Sequence, residues 1–297
     1  MKTPSLKERI LARARPLDPV PTGTVPDTRP LPGIRAVLFD IYGTLVISAS
    51  GDISLAQEQD HEAALREAFA AAGIPLKNHS APLTPRLHSA ILAAQDARRR
   101  DGVDIPEVEI REVWDSIIKR LRNDGILSGA PVHPAQRDAL AIEYECRANP
   151  VWPMPGFRET LAELRGRGLV LGIVSNAQFY TPLMMEAFLG APLDALGFDP
   201  DLCVYSFAER EGKPSARLYE KLAACLRARG IAPRESLYTG NDQRNDIRPA
   251  HDTGFRTALF AGDKRSLRLR EDDPHCAGVR PDRVLTGLAQ LPELLSS

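Results

Sequence analysis

Cysteines and long apolar runs are scarce in this chain of 297 residues. The four cysteines stand far apart and form no C-x-x-C pair, which argues against a zinc site or a disulfide framework and favours free thiols in a reducing cytoplasm. No apolar run approaches the roughly 20 residues that span a bilayer. The N-terminus lacks the apolar stretch of a secretory signal. We therefore expect a cytoplasmic protein that does not enter a membrane.

A strong net charge is also lacking. The 38 lysines and arginines balance 39 aspartates and glutamates, which leaves a formal charge of −1. No basic field is present to attract nucleic acid or an anionic membrane, so a small molecule is the expected partner. The basic run Arg265–Arg270 has acidic residues close on either side and predicts a solvated face. The composition does not indicate an oligomeric state.

Short apolar runs alternate with helical patterns from residue 34 onward. The first run, Ile34–Phe39, has the pattern of a strand that is buried on both faces. The alternation predicts an α/β fold with a doubly wound parallel sheet. The later predicted strands are Leu169–Val174, Asp201–Tyr205, Ser236–Tyr238 and Thr257–Phe260, and the predicted helices between them are Pro155–Gly166, Ser215–Arg229 and Ile247–Thr253.

Residues 48–152 interrupt this alternation with helical patterns alone, separated by glycines. They predict an all-helical cap domain inserted into an α/β core formed by residues 34–47 and 153–297. The proline-rich residues 1–33 predict an extended arm on the surface, with one short amphipathic turn near its start. The predicted cap helices are Leu55–Ala72, Pro85–Arg100, Pro106–Asn123 and Pro134–Ala148.

Polar side chains collect where the predicted strands end. The carboxyl ends of parallel strands share one edge of an open sheet, and ligands bind at that edge. A carboxylate, Asp40, follows the first strand; a hydroxyl–amide pair, a lysine and an acidic cluster follow later strands. Together these groups are the ones that phosphoryl transfer needs. The later ones are Ser175, Asn176, Lys213, Asn241, Asp242 and Asp246.

Each group has a role in such a reaction. The carboxylate of Asp40 can attack phosphorus and form an aspartyl-phosphate. Because the carboxylate and the phosphoryl group are both negative, we expect a divalent cation held by Asp40, a main-chain carbonyl and a second carboxylate. Ser175 and Thr44 can donate hydrogen bonds to the phosphoryl oxygens. Lys213 supplies a positive charge to the phosphoryl group and to Asp40.

Four motifs stand in a fixed order along the chain: Asp40–Leu45 (DIYGTL), Ile173–Asn176 (IVSN), Lys213-Pro214 and Gly240–Asp246 (GNDQRND). They resemble the motifs of the haloacid dehalogenase superfamily, and the resemblance covers residues 34–295. The helical insertion matches the first type of cap of that family in position and length. The resemblance implies Mg²⁺ as cofactor, an aspartyl intermediate and a mobile cap that closes over small substrates.

The chain departs from the family pattern at Tyr42. Most phosphatases of the family have an aspartate there as general acid and base, whereas the metal contact at this position is the main-chain carbonyl, which a tyrosine also provides. A phenol with a pKa near 10 is a poor proton donor at neutral pH. The acid must then come from elsewhere, such as a cap histidine, or the leaving group must be easily expelled. The cap histidines are His61, His79, His88 and His133.

A second departure lies in the fourth motif, where Asn241 occupies the usual position of an aspartate. With the shorter of the spacings that the family uses, Asp242 is the metal ligand, and Asp246 orients Lys213 or a metal-bound water. With the longer spacing, Asn241 is the ligand and binds the metal more weakly. The predicted Mg²⁺ ligands are Asp40, Tyr42 and Asp242.

Three functions are therefore open. The prediction is a Mg²⁺-dependent hydrolase that acts on a small phosphorylated metabolite with an easily expelled leaving group. The 2-haloacid dehalogenases of the family also carry a tyrosine at the position of Tyr42, so a metal-independent C–X hydrolase is the first alternative. The acidity of the fourth motif favours the metal-dependent reaction. The second alternative is a catalytically weakened binding protein with the same fold.

Overall fold

A six-stranded parallel sheet lies at the centre of the computed structural model, which describes residues 3–50 and 61–295. The order across this sheet is β5-β4-β1-β6-β7-β8, and every neighbouring pair is parallel. The predicted α/β class with a doubly wound sheet is confirmed. The strands are β1 (Ala36–Phe39), β2 (Val46–Ser48), β3 (Val151–Pro153), β4 (Val170–Ser175), β5 (Phe198–Tyr205), β6 (Ser236–Gly240), β7 (Arg256–Phe260) and β8 (Arg283–Leu285).

Helices cover the sheet and form the insertion between β2 and β3. In the described residues, no helix is long and apolar enough to cross a membrane. The helices are α1 (Leu6–Arg13), α2 (Glu62–Ala71), α3 (Thr84–Arg100), α4 (Ile110–Asn123), α5 (Pro134–Ala148), α6 (Phe157–Gly166), α7 (Tyr180–Leu189), α8 (Ser206–Glu209), α9 (Ala216–Ala228), α10 (Arg248–Asp252) and α11 (Gln290–Leu294).

The central position of β1 places the first motif at the edge of the sheet. All four residues of this strand are fully buried, because helices pack on both faces of the sheet. Phe39 is in register with Ile173 of β4 and Thr239 of β6. The amide of Asp40 donates to the carbonyl of Thr239 at 2.9 Å, so the backbone ladder continues one residue beyond the strand. The carboxylate of Asp40 thus lies at the carboxyl edge.

The insertion consists of helices α2–α5. Helix α4 is amphipathic and buries residues such as Trp114 and Leu121 against the other helices. The two connections to the core pair with each other as the antiparallel strands β2 and β3. A hydrogen bond of 2.7 Å from Ser48 Oγ to Asn149 Oδ1 continues this contact. The first part of the predicted helix Leu55–Ala72 lies outside the described residues.

The N-terminal arm begins with helix α1, at the place where the sequence predicted a short amphipathic turn. Ile10 of this helix is only 2% exposed, so the start of the arm packs against the protein more closely than an extended surface segment would. Lys7 pairs with Glu186 of α7 at 2.6 Å, and Arg9 pairs with Glu143 of α5 at 2.7 Å. Proline frequency alone could not reveal these partners, which lie more than a hundred residues away in the chain. Helix α1 therefore joins the helical insertion to the core.

Replacing Ile10 by alanine tests this packing. The change removes a buried side chain from between helices, so we expect a loss of about 2–4 kcal/mol in the free energy of unfolding. Leu11, on the same helix, is 49% exposed, and its replacement by alanine should change this free energy by less than about 0.5 kcal/mol. Urea unfolding of both variants measures the difference. Equal losses for the two variants would show that α1 does not pack here.

Candidate functional site

A cavity of about 460 Å³ lies between the helical insertion and the carboxyl edge of the sheet. Most of the predicted site residues line it. Thr44 and Ser175 are not among the lining residues but bond to two that are: Thr44 Oγ1 donates to Asn241 Oδ1 at 3.1 Å, and Ser175 Oγ donates to Asp40 Oδ1 at 2.9 Å. The predicted residues on the wall are Asp40, Tyr42, Asn176, Lys213, Asn241, Asp242 and Asp246.

A buried lysine lies between two of these carboxylates. Lys213 Nζ is 2.6 Å from Asp40 Oδ1 and 2.6 Å from Asp246 Oδ1. Burial lowers the pKa of Lys213, but the negative charges of Asp246 and Asp40 outweigh it and raise this pKa above its ordinary value. The lysine therefore stays charged. The amide of Lys213 also donates to Asn176 Oδ1 at 2.7 Å, which positions the loop that carries the lysine.

Asp246 is held from several sides. Its Oδ1 accepts from the hydroxyl of Tyr238 at 3.0 Å, and its Oδ2 accepts from the amide of Asp242 at 2.9 Å. Burial raises the pKa of Asp246 to about 6; Lys213 opposes this rise, and the charges of Asp40 and Asp242 add to it. The carboxylates at this edge thus carry more negative charge than Lys213 balances.

The carboxylate of Asp40 has one oxygen available for chemistry. The bonds from Lys213 and Ser175 both reach Oδ1, and within the described residues Oδ2 accepts no hydrogen bond. The turn that follows needs Gly43: its φ of 83° suits glycine, and a Cβ at this position would lie 2.4 Å from Ser266 Cβ. The turn thereby brings the backbone of the first motif close to Ser266 and Asn241.

Asp242, the predicted metal ligand, is already engaged by the protein. Its Oδ1 accepts from the amides of Arg244 at 2.8 Å and Asn245 at 3.1 Å, so the side chain caps the helical turn that follows. Its Oδ2 lies 2.7 Å from Arg270 Nη2. Asn241 has fewer partners: its Oδ1 accepts from Thr44, and its Nδ2 donates to the Ser266 carbonyl at 2.6 Å.

The oxygen atoms at this edge are of the type that Mg²⁺ prefers. Among the described residues, no group of three or more His, Cys, Asp or Glu side chains could hold a metal ion. A Mg²⁺ ion would therefore need mixed donors: the carboxylate of Asp40, the carbonyl of Tyr42 and a side-chain oxygen of Asn241 or Asp242. Burial is the main cause of the raised pKa of Asp246, and the negative charges of Asp40 and Asp242, which add to it, fit such a cation. The choice between Asn241 and Asp242 stays a prediction.

The phenol of Tyr42 does not replace the missing general acid. Its hydroxyl lies 2.9 Å from Thr181 Oγ1. Burial, followed by the negative charge of Glu145, raises the pKa of Tyr42 well above its ordinary value. The phenol therefore holds its proton even more firmly than a free tyrosine. Of the four histidines of the insertion, His88 lines the cavity, whereas the ring of His133 caps α5 by accepting from the amide of Ala135 at 3.2 Å.

Several cavity residues are absent from the sequence prediction. The run Arg265–Arg270 was predicted as a solvated face, but Arg268 and Arg270 line the cavity. The amide of Arg268 donates to the Asn241 carbonyl at 3.0 Å, which draws this loop along the fourth motif. The acidic residues on either side of the run suggested a solvated face, so this contact could not be predicted from the sequence. The insertion contributes Glu107 and Glu145, for which no sequence pattern gave a signal.

Comparison with known proteins agrees with this geometry. Residues 34–254 match the sequence profile of the haloacid dehalogenase-like hydrolases, which is well over half of the chain. The chain therefore belongs to this family of hydrolases. The expectation that it is an enzyme of this superfamily is confirmed.

Two proteins that are similar to this chain, one in sequence and one in fold, have different names. A phosphonoacetaldehyde hydrolase of Nitratidesulfovibrio vulgaris is 27% identical over 201 residues, which are 67% of this chain and 69% of the relative. The fold is similar to that of a 2-haloacid dehalogenase from Pseudomonas syringae, with a TM-score of 0.58, 20% identity and coverage of 88% of this chain and 97% of the other. The two names denote different reactions, so membership of the family defines the class of hydrolase and not the bond that is cleaved.

Proposed function

We propose that this hydrolase cleaves a phosphoryl group from a small molecule, with Asp40 as nucleophile and Mg²⁺ as cofactor. One observation carries the proposal: a buried carboxylate with one open oxygen faces a cavity and is held by Lys213 and Ser175 through its other oxygen. Such a carboxylate is oriented and charged, as a nucleophile must be. The cavity volume suits a small ligand.

The reaction then has two steps. In the first, Asp40 Oδ2 forms a bond to phosphorus while the bond between phosphorus and the leaving group breaks, and the leaving group keeps the electron pair. In the second, water attacks phosphorus and releases Asp40 and inorganic phosphate. Lys213 stays protonated throughout and offers positive charge to the phosphoryl oxygens. Mg²⁺, held by Asp40, the carbonyl of Tyr42 and either Asn241 or Asp242, would neutralise negative charge on the phosphoryl group.

The leaving group should need little protonation. Tyr42 keeps its proton, because burial and the charge of Glu145 raise its pKa. Acyl phosphates, phosphoanhydrides and aryl esters expel anions that are stable at neutral pH, so they suit a site without an acid at this position.

A metal-independent C–X hydrolase is the second candidate, because Arg270 forms an ion pair with Asp242. A cation of the protein thus neutralises the carboxylate that a metal would otherwise contact. In this reaction Asp40 would attack carbon, release a halide and form an ester that water hydrolyses. A catalytically weakened binding protein is the third candidate, and no observation in the described residues supports it.

One panel of substrates separates these possibilities. Acetyl phosphate, p-nitrophenyl phosphate, phosphonoacetaldehyde and 2-chloropropionate are each incubated with the enzyme, once with Mg²⁺ and once with EDTA. We expect phosphate release from the first two that is lost in EDTA and restored by added Mg²⁺. Chloride release that persists in EDTA would overturn the proposal in favour of the C–X hydrolase. No turnover, together with tight binding of an intact ligand, would favour the binding protein.

A further inference from the structure

Two acidic side chains of the insertion line the cavity and form no ion pair within the described residues. Glu145 of α5 accepts from the hydroxyl of Tyr180 at 2.8 Å and from Asn149 Nδ2 at 3.3 Å. Both donors are neutral. Burial raises the pKa of Glu145, and the two hydrogen bonds and a positive charge at His61 oppose this rise without cancelling it.

Glu107, in the loop between α3 and α4, repeats this arrangement. Its Oε1 accepts from the amide of Val108 at 2.8 Å, and its Oε2 accepts from the hydroxyl of Ser206 at 3.0 Å. Its pKa is also raised by burial. Two carboxyl groups with neutral donors alone are therefore part of the wall of one cavity.

Within the described part of the chain, no cation forms an ion pair with either of these two groups. In the described residues, no lysine, arginine or histidine nitrogen lies within 4.0 Å of either carboxylate, although the charge of a protonated His61 would attract Glu145 from farther away. The adjoining residues 51–60 contain no lysine, arginine or histidine. Lys213 and Arg270 are paired with aspartates of the core. Glu107 and Glu145 are half-buried, and a carboxylate that is largely shielded from water without a counter-ion is costly, so a positive group on the ligand would compensate it.

Aromatic side chains line the same cavity: Tyr42, Trp114, Tyr144 and Tyr180. The rings of Trp114 and Tyr144 meet edge to face with centroids 5.9 Å apart. Trp114 is 1% exposed, and its indole N–H has no hydrogen-bond partner in the described chain, which points to a hydrogen-bond acceptor on the ligand. Aromatic rings beside carboxylates are the surroundings in which proteins recognise alkylammonium groups.

We propose that the substrate carries a protonated or quaternary amine as well as a phosphoryl group, and that Glu107, Glu145 and the aromatic residues of the cavity bind the amine. The phosphoryl group of the substrate lies at the core side of the cavity, beside Lys213 and Asp40. This placement of the phosphoryl group rests on the proposed function. The compounds concerned are small amines that carry the phosphoryl group on an acyl, anhydride or aryl oxygen, the leaving groups that suit a site without an acid at Tyr42.

A pair of ligands with the same shape but different charge tests the inference. Phosphocholine carries a quaternary ammonium group, and 3,3-dimethylbutyl phosphate has a neutral tert-butyl group in its place. Their dissociation constants for the enzyme with Mg²⁺ are measured by calorimetry, and their inhibition constants against p-nitrophenyl phosphate hydrolysis are measured in parallel. We expect phosphocholine to bind about tenfold more tightly or better, from a charge-assisted contact and cation–π attraction. Equal binding, or tighter binding of the neutral compound, would overturn the inference.

Variants test whether the carboxylates of Glu145 and Glu107 cause the preference for the charged ligand. Glu145→Gln and Glu107→Gln should each reduce the ratio of the two dissociation constants severalfold. Asp104→Asn, an exposed change in the same loop as Glu107, should leave the ratio unchanged. A preference that both glutamine variants retain in full would contradict the assignment. If the enzyme hydrolyses p-nitrophenyl phosphate but shows no charge preference, the inference alone fails. If it binds phosphocholine selectively but hydrolyses no phosphate ester, the proposed function alone fails.

Discussion

Asp40→Asn should reduce turnover of acetyl phosphate by at least about 10⁴-fold, because an amide oxygen is a far weaker nucleophile than a carboxylate. The fold should survive the change. Lys213 keeps Asp246 as a charged partner at 2.6 Å, and Ser175 can still donate to the amide oxygen. Phosphate release measures turnover, and circular dichroism with thermal unfolding measures the fold. Mass spectrometry confirms that the asparagine has not deamidated during the assay.

Asp40→Glu is the matched control. It keeps the negative charge, but the extra methylene moves the attacking oxygen relative to Lys213 and Ser175, so activity should fall almost as far. Acid quenching of the wild-type enzyme during turnover should trap a phosphate on Asp40 that digestion and mass spectrometry can locate. An Asp40→Asn enzyme with more than about 1% of wild-type activity would refute the role of this carboxylate.

Local sequence patterns sufficed for the central sheet but not for its edge. The apolar run before Asp40 predicted β1 to within two residues, because a strand buried on both faces has a continuous apolar pattern. Strand β8 went unpredicted: only Arg283–Leu285 pair with β7, and three residues are too few for a pattern. Helix α7 was also missed. Its apolar residues cover most of its surface, so it lacks the polar face that marks an amphipathic helix.

The candidate site, like the fold, could be predicted only in part. Residues at the carboxyl ends of strands, such as Asp40 and Ser175, could be predicted, because the topology of a parallel sheet brings strand ends together. Residues that reach the cavity from the insertion could not. The position of Glu145 depends on how α5 packs on α7, where Tyr180 donates to it. Periodicity along one helix does not determine which neighbour it will meet. The ion pair of Asp242 with Arg270 could not be predicted for the same reason, since Arg270 lies in a separate loop.

Lys213→Met should destabilise the protein as well as inactivate it. The ammonium group of Lys213 is buried between Asp40 and Asp246, and its loss leaves two carboxylates without a counter-ion. We expect a decrease of about 3–5 kcal/mol in the free energy of unfolding at pH 7, the usual effect of breaking a buried charge pair from one side. Lys264→Met, a change of the same kind at an exposed lysine, should have little effect. Urea unfolding of both variants compares them.

The pH dependence of this loss in the free energy of unfolding distinguishes an electrostatic contribution of Lys213 from a packing contribution. Without Lys213, the pKa of Asp246 in the folded protein should rise above the value of about 6 that it has with the lysine present. A raised pKa in the folded state favours folding below the unfolded pKa of about 4, and this contribution is lost as the pH rises through the folded pKa. The difference between Lys213→Met and wild type should therefore be small near pH 4 and grow toward pH 8. Adding Asp246→Asn should recover part of the stability at pH 7, since one of the two unpaired charges is removed. A difference that stays constant across this range would mean that Lys213 contributes through packing, and the charge balance assigned to the carboxyl edge of the sheet would be wrong.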